Sequence, residues 1–254
     1  MANNNRHNDE AGREHRRLGI VCPMANERST AARLIEEVLE HCSGFEWVRF
    51  FAVFDKSCTD GTFDMLGKWR DKPAELELVW APQDNCVVDA YVKGYTEAIQ
   101  AGCEWILEID AGFSHRPDEI PQFFEKMAAG YDCVFGSRFC EGGGFSDAPF
   151  SRYLISRGGS YAANLLLGTK LADMTSGFEM FSSDVMSRLL AKGIKSRGHF
   201  FQTEIKAYCR NFRTSEVPIH YSKPSQRVGF GVLLDALRNL YRLLRLRTKG
   251  QLYI

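Results

Sequence analysis

Residues 105–115 read Trp-Ile-Leu-Glu-Ile-Asp-Ala-Gly-Phe-Ser-His, an apolar run that ends in a carboxylate, Asp110, and breaks into small residues and a turn. Where such a run is a strand of an open parallel sheet, its carboxyl end faces the crevice in which ligands bind. A carboxylate there can hold a divalent cation, and the cation can hold a diphosphate. Asp110 is the residue around which a site for a nucleotide-activated substrate would be built, provided the other strand ends open onto the same crevice.

The elements that must do this alternate along the chain. Apolar runs at Leu18–Cys22, Val48–Phe54, Leu76–Trp80, Trp105–Ile109 and Cys133–Phe135 read as strands. Helical patterns fall between them at Thr30–His41, Thr62–Lys68, Ala90–Ala101 and Glu119–Ala128. This order predicts an α/β fold with a doubly wound, mostly parallel sheet and right-handed crossovers. A glycine-rich loop over 136–144 precedes a long helical pattern at Tyr153–Leu167. A polar turn at 173–177, a short strand or turn at Phe178–Phe181 and a helix at Asp184–Lys192 follow. Glu216–Tyr221 reads as a late strand, placed at an edge by Pro218. There is no internal repeat and no linker, so one domain is expected over 17–222, with a polar tail over 1–16 and a C-terminal helical extension over 223–254.

With 44% hydrophobic and 25% charged residues, the 254-residue chain falls in the soluble globular class. The 32 basic residues balance 32 acidic ones, which excludes a global field drawing the protein to nucleic acid. Eight cysteines form no Cys-x-x-Cys pair, and Cys22 and Cys133 lie inside apolar runs. They read as reduced core residues, which points to the cytoplasm. The tail lacks the apolar centre of a signal peptide, and no run reaches the roughly twenty apolar residues of a membrane span. Near the C-terminus, Leu233, Leu237, Leu240, Tyr241 and Leu244 share one face, fringed by Arg238, Arg242, Arg245, Arg247 and Lys249. This segment reads either as a helix packed on the domain or as a basic amphipathic helix in peripheral contact with an anionic membrane.

A series of short motifs, in order, resembles family 2 glycosyltransferases of the GT-A fold, and among them the dolichyl-phosphate mannose synthase type. Pro23-Met24-Ala25-Asn26-Glu27 resembles the family's opening P-x-Y-N-E, and Asp55-Lys56-Ser57-Cys58-Thr59-Asp60-Gly61-Thr62 its D-D-x-S-x-D-G-T. Asp110-Ala111-Gly112-Phe113-Ser114-His115 resembles D-A-D-L-S-H, and Gly136-Ser137-Arg138-Phe139 resembles G-S-R-Y. Arg152-Tyr153-Leu154-Ile155-Ser156-Arg157-Gly158, Asp173-Met174-Thr175-Ser176-Gly177-Phe178, Phe201-Gln202-Thr203-Glu204 and Glu216-Val217-Pro218-Ile219 complete the series.

The resemblance implies an inverting transfer from a nucleoside-diphosphate sugar (a GDP- or UDP-sugar) to an acceptor. That acceptor is a polyprenyl phosphate or, alternatively, a soluble protein, glycan, small molecule or modified base; a non-catalytic nucleotide-sugar-binding relative is the reading of another class. It implies that Pro23, Asn26, Glu27, Asp55 and Asp110 bind the donor, with Asp110 on a Mg²⁺ or Mn²⁺ ion. It also implies that Arg138 and Arg152 face the phosphates and that Asp173 is a candidate base. Read without the family, Glu27 complements a helix N-terminus, Asp55 and Asp173 cap turns, and each Arg is a solvated charge. Three departures stand out. Ala25 replaces an aromatic, Lys56 replaces a second acid, and Gly112 replaces the second carboxylate of the cation motif. Asp110 then works alone, is helped by His115 or Glu108, or gives way to cationic side chains on the diphosphate. The closing phosphate-binding element is also unmatched, with Lys223 or Arg227 as substitutes.

Overall fold

The computed structural model describes residues 16–84, 86–146, 150–222 and 230–254. The expected tail, except Arg16, lies outside the described residues, as do Lys223 and Arg227.

Strands β1 (Arg17–Pro23), β2 (Trp47–Phe54), β3 (Leu76–Trp80), β4 (Trp105–Glu108), β5 (Cys133–Ser137), β7 (Glu179–Ser182) and β8 (Thr214–Pro218) form one sheet in the order β3-β2-β1-β4-β7-β5-β8. All pairings are parallel except the two made by β7. The chain order steps outward from β1 to β3 and returns to β4, so the topological switch lies between β1 and β4. In a doubly wound sheet that is where the ligand crevice opens; Pro23 is the last residue of β1 and Asp110 lies just after β4.

Helices α1 (Ala31–Glu40), α2 (Thr62–Gly67), α3 (Val87–Gln100), α4 (Ile120–Ala128), α5 (Phe150–Leu167), α6 (Ser183–Lys192), α7 (Phe201–Tyr208) and α8 (Phe230–Thr248) complete the fold. The strand side chains alternate between the two faces. Ile20, Cys22, Phe50, Ala52 and Phe54 join α1 and α4 in one apolar cluster. Val21, Phe51 and Val53 join α3, α6 and α7 in the other. On α3 a Cβ at Gly94 would stand 2.3 Å from Val21 Cγ1, so only glycine lets this helix lie so close to the sheet.

One sequence reading needs correction. The late strand expected over 216–221 is two pieces, because Pro218 ends the ladder. β8 is the edge of the main sheet, and β9 (His220–Tyr221) pairs with β6 (Gly144–Phe145) in a separate ribbon. The segment expected as a short strand or turn at Phe178–Phe181 is the strand β7, one residue further on; it runs antiparallel and sets Glu179 directly opposite Glu108.

The C-terminal helix packs on the domain. Leu243 is fully buried, Arg242 Nη2 reaches Glu204 Oε2 at 2.8 Å, and Arg247 donates to the carbonyl of Leu166 at 2.7 Å.

Candidate active site

Asp110 follows β4 and the buried Ile109, half-exposed at the switch point. Tyr91 of α3 donates its phenolic hydrogen to Asp110 Oδ1 at 2.6 Å. Asp110 Oδ2 has no hydrogen-bond partner among the described residues. The carboxylate is aimed by one oxygen and open at the other, and the close seat of α3 on the sheet puts Tyr91 within reach.

The two side chains expected to help Asp110 turn inward. Glu108 is fully buried and accepts hydrogen bonds from Tyr95 and Gln202. His115 is fully buried too, accepts the Asp110 amide on Nδ1 at 3.4 Å and stacks on Phe178. Burial pushes the His115 imidazole down to about 4, so the ring is neutral at pH 7. These residues order the Asp110 loop from below and offer nothing to the crevice.

The place of the missing acid is filled differently. Gly112 has φ +73, and a Cβ built on it would lie 3.0 and 3.2 Å from the carboxylate oxygens of Glu27. Hence the Glu27 carboxylate sits where a side chain at 112 would project. Glu27 accepts the Thr30 hydroxyl on Oε2 at 2.7 Å, and its amide donates to Thr62 Oγ1 at 3.0 Å. Hard oxygens at a strand end, one of them open on Asp110, fit a Mg²⁺ or Mn²⁺ ion that completes its shell with phosphates.

Pro23 closes β1, with the next amide, that of Met24, donating to the Val53 carbonyl at 2.8 Å. Asp55 ends β2, and its Oδ1 takes the Ser57 amide at 2.7 Å. Asn26 has a different part from the donor contact expected of it. It adopts φ +58, donates to the Ser57 carbonyl at 3.0 Å and accepts the amides of Thr59 and Asp60 at 2.9 and 3.1 Å. Both ends of its amide are spent on fastening the β2–α2 loop to the β1 loop.

Asp173 is not placed as a base. It is fully buried, and Arg138 grips it with Nε–Oδ2 at 2.6 Å and Nη2–Oδ1 at 2.8 Å. The Arg138 amide and the Thr175 amide add hydrogen bonds at 3.1 and 3.0 Å. Burial alone would raise this carboxyl, but the Arg138 guanidinium outweighs it and holds the group down at about 2. Both carboxylate oxygens are engaged and the group is fully buried, so in this geometry neither oxygen is presented to an acceptor. By the same pairing, Arg138 is 5% exposed and boxed by Phe139, Phe145 and Tyr221. It pins the glycine-rich loop to the 173–177 turn. Arg152 differs, being half-buried on α5, and its charge bears on Tyr221 together with that of Asp110. Asp110, Tyr221 and Arg152 are thus brought to one side of the molecule.

Sequence reasoning missed the polar layer beneath the site. Lys206 of α7 is 1% exposed, pairs with Glu179 and donates to the Ser176 carbonyl at 2.6 Å. Burial lifts the Glu179 carboxyl to about 7 despite Lys206. The signals were Tyr91 and Tyr95 at helical spacing and a lysine amid the apolar residues of α7, and each alone resembles an ordinary surface pattern.

The sequence model of the family described as "Glycosyl transferase family 2" matches residues 19–190. Polyprenol monophosphomannose synthase of Mycolicibacterium smegmatis is 25% identical over 214 residues, covering 83% of this chain and 79% of its own. Undecaprenyl-phosphate mannosyltransferase of Micrococcus luteus is 28% identical over 200 residues, covering 75% and 80%. Among solved structures, glucosyl-3-phosphoglycerate synthase from Mycobacterium tuberculosis, in complex with Mn²⁺, UDP-glucose and phosphoglyceric acid, superposes with TM-score 0.65. The match is at 14% identity and covers 95% of this chain and 83% of that one; this shows the fold. The same synthase is also described with Mg²⁺ and UDP, at TM-score 0.61 and 14% identity, covering 97% and 83%. The family match spans well over half of the chain: the protein belongs to glycosyl transferase family 2, and is a glycosyltransferase.

Proposed function

We propose that the protein transfers a hexose, with inversion, from a nucleoside-diphosphate sugar to a polyprenyl phosphate. The observation that carries this reading is the Asp110 carboxylate at the switch point, one oxygen held by Tyr91 and the other open. The loop after β1, from Pro23 to Glu27, and Asp55 at the end of β2 flank it on the nucleoside side. Asp110 would hold the divalent cation; when bound, that cation neutralises the leaving diphosphate. Arg152 adds fixed positive charge from α5 on the acceptor side.

In the transfer the acceptor oxygen attacks the anomeric carbon opposite the diphosphate. One carbon–oxygen bond forms as the other breaks, and the configuration inverts. An acceptor phosphate arrives as an anion and needs no protein base. The sequestering of Asp173 by Arg138 therefore favours such an acceptor over a neutral hydroxyl. The printed names of the two mannosyltransferase relatives point the same way.

The acceptor's lipid calls for a surface. Among the described residues no helix is long and apolar enough to cross a membrane. The outer stripe of α8 nevertheless carries Leu233, Leu237 and Tyr241, 48%, 56% and 63% exposed, between the exposed Arg238 and Arg245. The neighbouring α5 adds Leu154, Ile155 and Tyr161. Apolar residues rimmed by arginine suit the headgroup layer of an anionic membrane.

The test is transfer from GDP- and UDP-hexoses to a polyprenyl phosphate in detergent, with Mn²⁺, Mg²⁺ or EDTA. A glycolipid whose anomeric configuration is opposite to the donor's is expected. Transfer to soluble acceptors only would overturn the acceptor assignment.

A further inference from the structure

Gly112 poses a question that the donor site leaves open. A hard divalent cation on a diphosphate is held by one or two carboxylates, and the family motif provides two acids in one loop. Here the loop has one. Its second position is a glycine at φ +73, a conformation that costs an L side chain strain. The space in front of that glycine is taken, because Glu27 Oε1, Oε2 and Cδ lie 3.0, 3.2 and 3.4 Å from where its Cβ would be.

We propose that Glu27 supplies the second carboxylate of the cation site, so that the acidic pair of this enzyme is formed across two loops by Asp110 and Glu27. The proposal rests on the donor-binding reading above and gives Glu27 a part other than the nucleoside contact implied by the family pattern.

The geometry supports it from both sides. Each carboxylate has one oxygen held by a hydroxyl: Asp110 Oδ1 by Tyr91 at 2.6 Å, Glu27 Oε2 by Thr30 at 2.7 Å. Each has its other oxygen without a hydrogen-bond partner among the described residues. The backbone of Glu27 is fixed as well, its amide on Thr62 Oγ1 and its carbonyl accepting the Thr30 and Ala31 amides at 2.9 and 2.8 Å. The Glu27 backbone is thereby anchored at the starts of α1 and α2, and the Thr30 hydroxyl holds one carboxylate oxygen. Both acids are close enough to the fully buried Cys22 thiol for their charges to act on it. Glu27 abuts Gly112, two residues along the loop from Asp110, and a cation between two acids offsets their mutual repulsion. A side chain at 112 would press on the Glu27 carboxylate and shift it by a few tenths of an ångström, so the glycine leaves Glu27 the place it holds here.

The experiment measures Mn²⁺ binding by the loss of the free-ion electron paramagnetic resonance signal, on the full chain with UDP or GDP present. Nucleotide binding in EDTA is measured in parallel. Glu27→Gln keeps the shape and removes the charge. It is expected to weaken Mn²⁺ by about tenfold or more, and nucleotide affinity in EDTA by far less. Glu27→Ala combined with Gly112→Asp moves the acid back into the loop, and is expected to bind Mn²⁺ more tightly than Glu27→Ala alone. If Glu27→Gln binds Mn²⁺ as the parent does, the proposal is overturned and the donor site stands on Asp110. If nucleotide affinity in EDTA falls in step with that for Mn²⁺, Glu27 belongs to the nucleoside and the proposal is also overturned. A parent protein that binds nucleotide but no Mn²⁺ would overturn both the cation and this role of Glu27.

Discussion

A single carboxylate can serve as a site or as a strut, and Asp110 and Asp173 show the difference. Both lie just after strands or in turns, and the sequence offers each of them a functional and a turn-forming reading. What separates them is the partner that the fold delivers. Asp110 meets a neutral hydroxyl from Tyr91 and keeps an open oxygen, while Asp173 meets a buried guanidinium that takes both. No spacing in the sequence announces that Arg138 will turn back on Asp173, because the two are joined only through the β5–β7 pairing. The strut has a measurable signature. A carboxyl held down at about 2 contributes stability above its unfolded-state value and loses it as pH falls through the folded one. Asp173→Asn leaves Arg138 buried without its counter-charge and is expected to cost roughly 3–5 kcal/mol at neutral pH. In urea unfolding the gap to the parent protein should narrow between about pH 5 and pH 1, by roughly 2 kcal/mol. A gap that stays constant over that range would show that the ion pair contributes nothing.

At the scale of elements, the alternating strands and helices were legible because each strand is bounded by turn residues and carries its apolar side chains to both faces. The order of β1, β2 and β3 and the reversal at β4 follow from that pattern and from right-handed crossovers. The antiparallel β7 was not, since four residues give no direction. Nor was the split at Pro218, where a run of strand formers serves two different sheets. The C-terminal helix held two readings, and α8 satisfies the first with Leu243, Arg242 and Arg247 while its outer stripe remains apolar. Inner and outer faces make separable predictions. Leu237→Glu together with Tyr241→Glu, both on the outer stripe, should leave thermal stability within about 0.5 kcal/mol. The pair should also abolish sedimentation with anionic phosphatidylglycerol vesicles. Sedimentation equal to that of the parent would remove α8 from the membrane surface.

Across the whole molecule, the sheet collects side chains from β1, β2, β4 and α3 at a single edge and seals the rest. The ordered motifs disclosed the family over most of the chain, and with it the strand ends that matter. They left hidden the layer below, where Lys206 pairs with Glu179 and the neighbouring Glu108 is held by Tyr95 and Gln202 out of solvent, since these contacts join residues far apart in sequence. They also left hidden that Asn26 fastens one loop to another. Both features make the crevice a rigid surface prepared for ligand, and a ligand bound only by the folded state must stabilise it. The most direct measurement is thermal unfolding of the parent and of Asp110→Asn with UDP and GDP, in Mn²⁺ and in EDTA. At a hundredfold excess over its dissociation constant, one nucleotide should stabilise the parent in Mn²⁺ by about 2.7 kcal/mol, a rise of roughly 5–10 °C. That rise should vanish in Asp110→Asn. An equal rise in both proteins would put the diphosphate somewhere other than the end of β4.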